Sequence, residues 1–94
     1  MNVEIIRDDT KGAAIAKDNG EKAGEMTFSI AGPHLIIIDH TEIEPAFQGK
    51  SVGKQLLFKI VETARKEDIK IIPLCPYANA MFKKIESIKD VLKS

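Results

Sequence analysis

One stretch limits the folds open to this chain more than any other. It runs from Leu35 to Arg65 and hinges on Phe47-Gln48-Gly49-Lys50-Ser51-Val52-Gly53-Lys54. Before the hinge lies the most apolar segment, Leu35-Ile36-Ile37-Ile38, continuing through Asp39-His40-Thr41-Glu42-Ile43. A short run that is β-branched and apolar at consecutive positions predicts a strand covered on both faces. After the hinge, Val52, Leu56, Leu57, Ile60, Val61 and Ala64 recur at three- and four-residue spacing, with Lys54, Lys59, Glu62 and Lys66 on the other side. That is the pattern of an amphipathic helix. Such a helix starts with backbone N–H groups that have no intrahelical acceptor and with the positive end of its dipole. Gly49 and Gly53 keep side chains clear and Lys50 and Lys54 flank the turn. The combination predicts an anion site, with phosphate as the anion.

The rest of the chain supplies neighbours for this unit. Val3–Arg7 and Gly12–Lys17 read as strands around a polar turn at Asp8-Asp9-Thr10. Asn19-Gly20 is a hairpin signal, because both residues tolerate the positive φ of a type I′ turn. The returning strand, Lys22–Ala31, alternates Met26, Phe28 and Ile30 with Thr27 and Ser29, and Gly32-Pro33 turns it into Leu35. These pieces predict a four-stranded antiparallel meander with the helix on one face. Ile69–Cys75 then reads as a strand parallel to the Leu35 strand through a right-handed crossover. Pro73 and Pro76 cut its pairing short, so the two parallel strands are expected to splay and leave a gap before the helix N-terminus. Tyr77–Leu92 reads as a weaker helical segment, interrupted near Glu86-Ser87 and docked by Ala80, Met81, Ile85, Ile88 and Leu92.

Ninety-four residues suit a single domain spanning 1–94. Fourteen basic and fourteen acidic residues cancel, leaving no net field for nucleic acid or an anionic membrane. No apolar run approaches a membrane span, and Met1-Asn2-Val3-Glu4 carries no signal-peptide pattern. A lone cysteine, Cys75, points to a reducing cytoplasm.

Gly49-Lys50-Ser51 matches the end of a Walker A loop, but that motif needs glycine where this chain has Glu44, and a carboxylate there repels a triphosphate. A tight turn with close helix packing is the plainer use for the two glycines. Gln48-Gly49-Lys50-Ser51-Val52-Gly53, however, resembles the Gln/Arg-x-x-Gly-x-Gly/Ala pyrophosphate loop of the GNAT acetyltransferases. His40-Thr41-Glu42-Ile43 before it and Pro73-Leu74-Cys75-Pro76-Tyr77 after it are similar to the His-Thr strand end and Cys-Pro-aromatic turn of a minimal, single-domain GNAT-like family. The resemblance covers nearly the whole chain, and the three motifs fall in the same order. Ser51 departs from the pattern, standing where its first glycine is usual.

The resemblance implies an α/β (α+β) GNAT-like mixed sheet and a site for acetyl-CoA. Its pyrophosphate would lie on the N–H groups of Gln48, Gly49, Lys50, Ser51, Val52, Gly53 and Lys54. The pantetheine arm would run through the splay beside Ile43, with Pro76, Tyr77, Ala78 and Ala80 facing the thioester end or the arm. Acetyl transfer needs a neutral amine, a polarised carbonyl and a proton for the departing thiolate. Cys75, next to the expected acetyl position, is then a nucleophile or a proton donor, or alternatively a small buried apolar residue. His40 is a base or a residue orienting Cys75, Glu42 is a second base on the same strand face, and Tyr77 is an acid or a packing residue. His34, at the far end of its strand, is structural, and Lys83-Lys84 is a solvated face. The expected activity is N-acetylation of an amine on a small molecule or protein by a monomer or weak homodimer. The competing reading is a non-catalytic acyl-CoA binding or sensing module; a purely structural domain is a third.

Overall fold

The computed structural model describes residues 1–93. Its backbone follows β1 (Asn2–Arg7), β2 (Lys11–Asp18), β3 (Glu21–Gly32), β4 (Leu35–Ile43), α1 (Val52–Glu67), β5 (Lys70–Pro73) and α2 (Pro76–Lys84). Short 3-10 turns at Pro45–Phe47 and Glu86–Val91 complete it. The strands form one five-stranded sheet in sequence order, antiparallel from β1 to β4 and parallel between β4 and β5. The β2–β3 hairpin turns through Asn19 and Gly20 at φ 52° and 83°, the doubly left-handed geometry that Asn-Gly favours.

One face of the sheet carries the core. Ala14, Met26, Phe28, Ile36 and Ile38 point from β2, β3 and β4 onto Leu56, Leu57, Ile60, Val61 and Ala64 of α1, all buried. Ala78 and Phe82 of α2, with Ile88 and Val91 beyond it, extend the same cluster. The C-terminal helical segment is interrupted at Ile85, beside the Glu86-Ser87 break expected. Ile85 is extended at φ −107°, and the chain continues as a 3-10 turn. It then runs beside β5, with Ile71 bridging Leu92 and the Lys93 N–H donating to the Ile71 carbonyl.

The opposite face corrects the expectation that β4 is covered on both sides. Ile15, Thr27, Ser29 and Ile37 are only half-buried there, and Ile6 is 52% exposed. The helices contribute their buried side chains to one cluster, so no second layer forms among the described residues. Ile37 stands beside Ile72 in the β4–β5 register, and each shields the other in place of a helix.

The parallel pairing is also shorter than Ile69–Cys75. It ends at Ile38 opposite Pro73, and the Cys75 N–H donates to the Ile38 carbonyl at 3.0 Å as the last link. Leu74 bows out between them, 67% exposed. Proline is half the cause. The other half is a β-bulge: Phe28 faces Ile38 but Thr27 faces His40, leaving Asp39 as an extra residue in β4. From there β4 stays on β3 as far as Ile43 while β5 turns away, and the gap opens along 39–43.

His34 is structural, as expected. Its Nδ1 donates to the carbonyl of Asp68 at 2.8 Å, tying the β3–β4 turn to the end of α1, where Asp68 is left-handed.

Candidate functional site

The hinge folds from its residues outward. Phe47, 7% exposed, anchors the turn that Pro45 starts, and the Gln48 N–H leans back to the Pro45 carbonyl at 3.4 Å. Beyond it Gly49 and Ser51 both adopt left-handed backbone, at φ 79° and 60°. Helical bonding resumes only when the Gln55 N–H donates to the Ser51 carbonyl at 3.1 Å. Among the described residues, the N–H groups of Gly49, Lys50, Ser51, Val52, Gly53 and Lys54 meet no acceptor. The Ser51 side chain makes no cap, and the first turn of α1 holds no acidic residue. Lys50 lies over the Phe47 ring at 5.7 Å and Lys54 over Phe58 at 5.6 Å. A run of orphan donors at the positive end of a 16-residue helix, with two lysines, has the chemistry that suits a polyanion.

The two loop glycines do different work. Gly49 has open space around it, so its positive φ is what requires glycine. Gly53 is helical, and a Cβ there would lie 2.7 Å from Cζ of Tyr77. Its bareness lets the Tyr77 ring settle on the first turn of α1, joining the loop to the start of α2. Ser51 occupies a left-handed position at some cost. Ser51→Gly is expected to raise stability by about 0.5–1 kcal/mol, the left-handed strain removed less the added chain entropy. Chemical denaturation checks this; a loss of stability would contradict a left-handed Ser51.

Across the gap, Cys75 is 3% exposed and caps α2, its carbonyl accepting from the Asn79 N–H at 2.9 Å. Its Sγ lies 3.0 Å from Oγ1 of Thr41. The sequence offers His40 as a base or as the residue orienting this thiol. The bulge decides otherwise: Thr41 pairs with Met26 and Ile43 with Gly24 on the core face, while His40 pairs with Thr27 and Glu42 with Glu25 on the open face. His40 and Glu42 therefore share a face, as expected, and both are exposed. Thr41 escaped the sequence reading because strict alternation from Ile36 and Ile38 assigns it to the other side.

Pro76, Tyr77 and Ala80 are exposed on α2, but Ala78 is fully buried in the core and corrects its assignment to the cofactor side. Of Val52, 2% exposed, only the backbone is available to a ligand. Burial pushes the Tyr77 phenol above its ordinary value, with the neighbouring Cys75 adding to the rise, so the hydroxyl keeps its proton at neutral pH. No group of acids, histidines and cysteine able to hold a metal occurs among the described residues, and none of their helices is long and apolar enough to cross a membrane.

The orphan donors suit a diphosphate and the unpaired edge of β4 suits an extended amide-bearing arm, which are the two parts of coenzyme A that need holding. The family model for the GCN5-related N-acetyl-transferase matches residues 13–91. A GCN5-like protein of Staphylococcus aureus, solved by NMR, is 37% identical over 99% of this chain and 90% of its own, with a TM-score of 0.68. The ribosomal-protein-alanine N-acetyltransferase of Brucella melitensis biovar Abortus 2308 is 19% identical over 83% of this chain, with a TM-score of 0.70, and this chain spans 62% of its length. The aminoglycoside N-acetyltransferase AAC(6')-Iy in complex with CoA is 16% identical over 86% of this chain and 68% of its own, with a TM-score of 0.59. At those two identities the likeness is one of fold. Among curated proteins none matches. With its mixed sheet, its glycine loop and a family match over most of its length, the chain belongs to the GCN5-related N-acetyltransferase family, whose cofactor is acetyl-CoA.

Proposed function

We propose that this chain transfers the acetyl group of acetyl-CoA to an amine, with the thioester held in the gap between β4 and β5. The observation that carries the reading is the run of six unaccepted N–H groups from Gly49 to Lys54 opening beside that gap. These donors, with Lys50 and Lys54, would hold the pyrophosphate. The β4 edge near Ile43 would take the pantetheine arm, and Pro76, Tyr77 and Ala80 would flank it.

The gap has two sides, and the chemistry divides between them. On the open face, Glu42 and His40 are exposed and able to accept a proton from an arriving ammonium. On the core side, Cys75 is shielded and hydrogen-bonded to Thr41, which suits proton donation to the departing sulfur better than open nucleophilic attack. In the balanced step the amine lone pair forms the N–C bond and the C–S bond breaks. Of the two protons the ammonium loses, one reaches solvent through Glu42 or His40, and the other is matched by the proton gained at sulfur.

The test compares wild type with Cys75→Ala in a CoA-release assay over an amine panel, with intact mass recorded after incubation in acetyl-CoA. Direct transfer predicts release that falls by about 10- to 100-fold in the variant, as for loss of a general acid, and no acetyl adduct on wild type. An adduct of one acetyl group absent from Cys75→Ala would establish the covalent route instead. Tight CoA binding with no release for any amine would reduce the chain to an acyl-CoA binding module.

A further inference from the structure

The open face of the sheet bears a groove of about 650 Å³ that lies away from the glycine loop. Its floor follows from register. Ile6 of β1, Ala13 of β2, Thr27 of β3 and His40 of β4 form one row across the sheet, and the next row places Glu42 beside Glu25. Ala13 is the smallest side chain in the first row, so the row is lowest there, between the exposed Ile6 and the bulge at Asp39. The groove thus starts as apolar surface on β1 and β2 and ends in carboxylate and hydroxyl where the gap opens.

The charges lining it are unequal in what they have left to offer. Arg7 is engaged with Glu67 at 2.6 Å, beyond the groove. Asp8 accepts from the Thr10 and Lys11 N–H groups, and the Lys11 ammonium, which also lines the groove and makes no ion pair among the described residues, lies close enough to lower its pKa further. Asp39 meets no cation among the described residues. Ser29 Oγ donates to one of its oxygens, Oδ2, at 2.5 Å, and Asp39 lines the groove with no side-chain bond to Oδ1 among the described residues. Alternation from the buried Ile38 thus sets a lone carboxylate on the open face, and the bulge that follows brings His40 to the same side.

Resting on the acetyltransferase reading, we propose that this groove holds the acceptor, and that the acceptor is a primary alkylammonium on an apolar stem. The stem lies on Ile6 and Ala13, the ammonium sits on Asp39 within reach of the Thr27 hydroxyl, and the nitrogen passes from there to the gap beside His40 and Glu42. A neutral or anionic acceptor has no partner at Asp39.

The experiment titrates n-pentylamine and Nα-acetyl-lysine methyl ester into the protein, with and without saturating CoA, and follows amide NMR shifts. Both amines are expected to move Ala13, Thr27, Ser29 and Asp39, and 1-pentanol at equal concentration is expected to leave them in place. Asp39→Asn keeps an acceptor for Ser29 while removing the charge, and is expected to weaken amine binding at least 10-fold with CoA affinity unchanged. Ala13→Leu fills the floor and is expected to do the same by bulk. Amine shifts clustered elsewhere, no amine binding, or binding indifferent to Asp39→Asn would overturn the groove. Because the amine arms are run without CoA as well, a failure of CoA to bind at Gly49–Lys54 would count against the acetyltransferase reading separately.

Discussion

Phe82→Ala is expected to remove about 3–5 kcal/mol of stability, the range for deleting a buried aromatic ring that leaves a cavity. A domain of this size has a total of about 5–15 kcal/mol, so the variant is expected to melt roughly 15–25 °C lower. Phe82 is 1% exposed and is the largest fully buried side chain of the protein. It is also the main apolar anchor of α2, whose other buried residue is the small Ala78. That short helix presents Cys75 at its cap and Tyr77 in its first turn. The loss is therefore expected to reach the site before the whole chain unfolds, with the Tyr77 ring leaving Gly53 below the melting temperature. Amide exchange of α2 measured against the global denaturation free energy checks this. A loss under 1 kcal/mol would mean that α2 is not integral to the core.

Lys50→Glu/Lys54→Glu separates binding from stability because the two effects have opposite origins. Each reversal places a carboxylate where the phosphates are expected, and about a 10-fold loss of CoA affinity per site follows from Coulomb terms of 1–2 kcal/mol near a screened surface. The double variant is thus expected to bind roughly 100-fold more weakly. Stability has reason to hold. Losing the contacts with Phe47 and Phe58 costs about 0.5–1 kcal/mol each, while acids at a helix N-terminus contribute about 0.3–1 kcal/mol each. The terms nearly cancel, so the melting temperature should move by a few degrees at most. Calorimetry of CoA binding beside a thermal melt reads both. Unchanged affinity would remove the phosphates from this loop.

The sequence carried the strand-to-helix unit and the meander plainly, because period-two and period-3.6 patterns and Asn-Gly are local signals. It carried the family too, through residues that line the gap. What it could not carry was the bulge. One extra residue at Asp39 reverses the alternation of β4, and nothing in Ile38-Asp39-His40-Thr41 announces it. Counting from Ile36 and Ile38 sends His40 to the core and to Cys75; the bulge sends Thr41 there and turns His40 and Glu42 outward, beside Asp39, which faces out on either count. The same limit hid the open face. An apolar run at Leu35–Ile38 reads as doubly covered, whereas Ile37 is sheltered by its parallel neighbour Ile72. Gly53 was legible as a close approach, but its partner, the ring of Tyr77, lies 24 residues on and became visible only in three dimensions.

The unaccepted amides at the start of α1 are proposed to grip the diphosphate of coenzyme A. Titrating CoA into ¹⁵N-labelled protein tests it most directly. The largest shift changes are expected from Gly49 to Lys54, with a second group at Cys75 and Tyr77 and little movement in β1 and β2. Saturable binding whose changes fall elsewhere, with Gly49 to Lys54 unmoved, would contradict it.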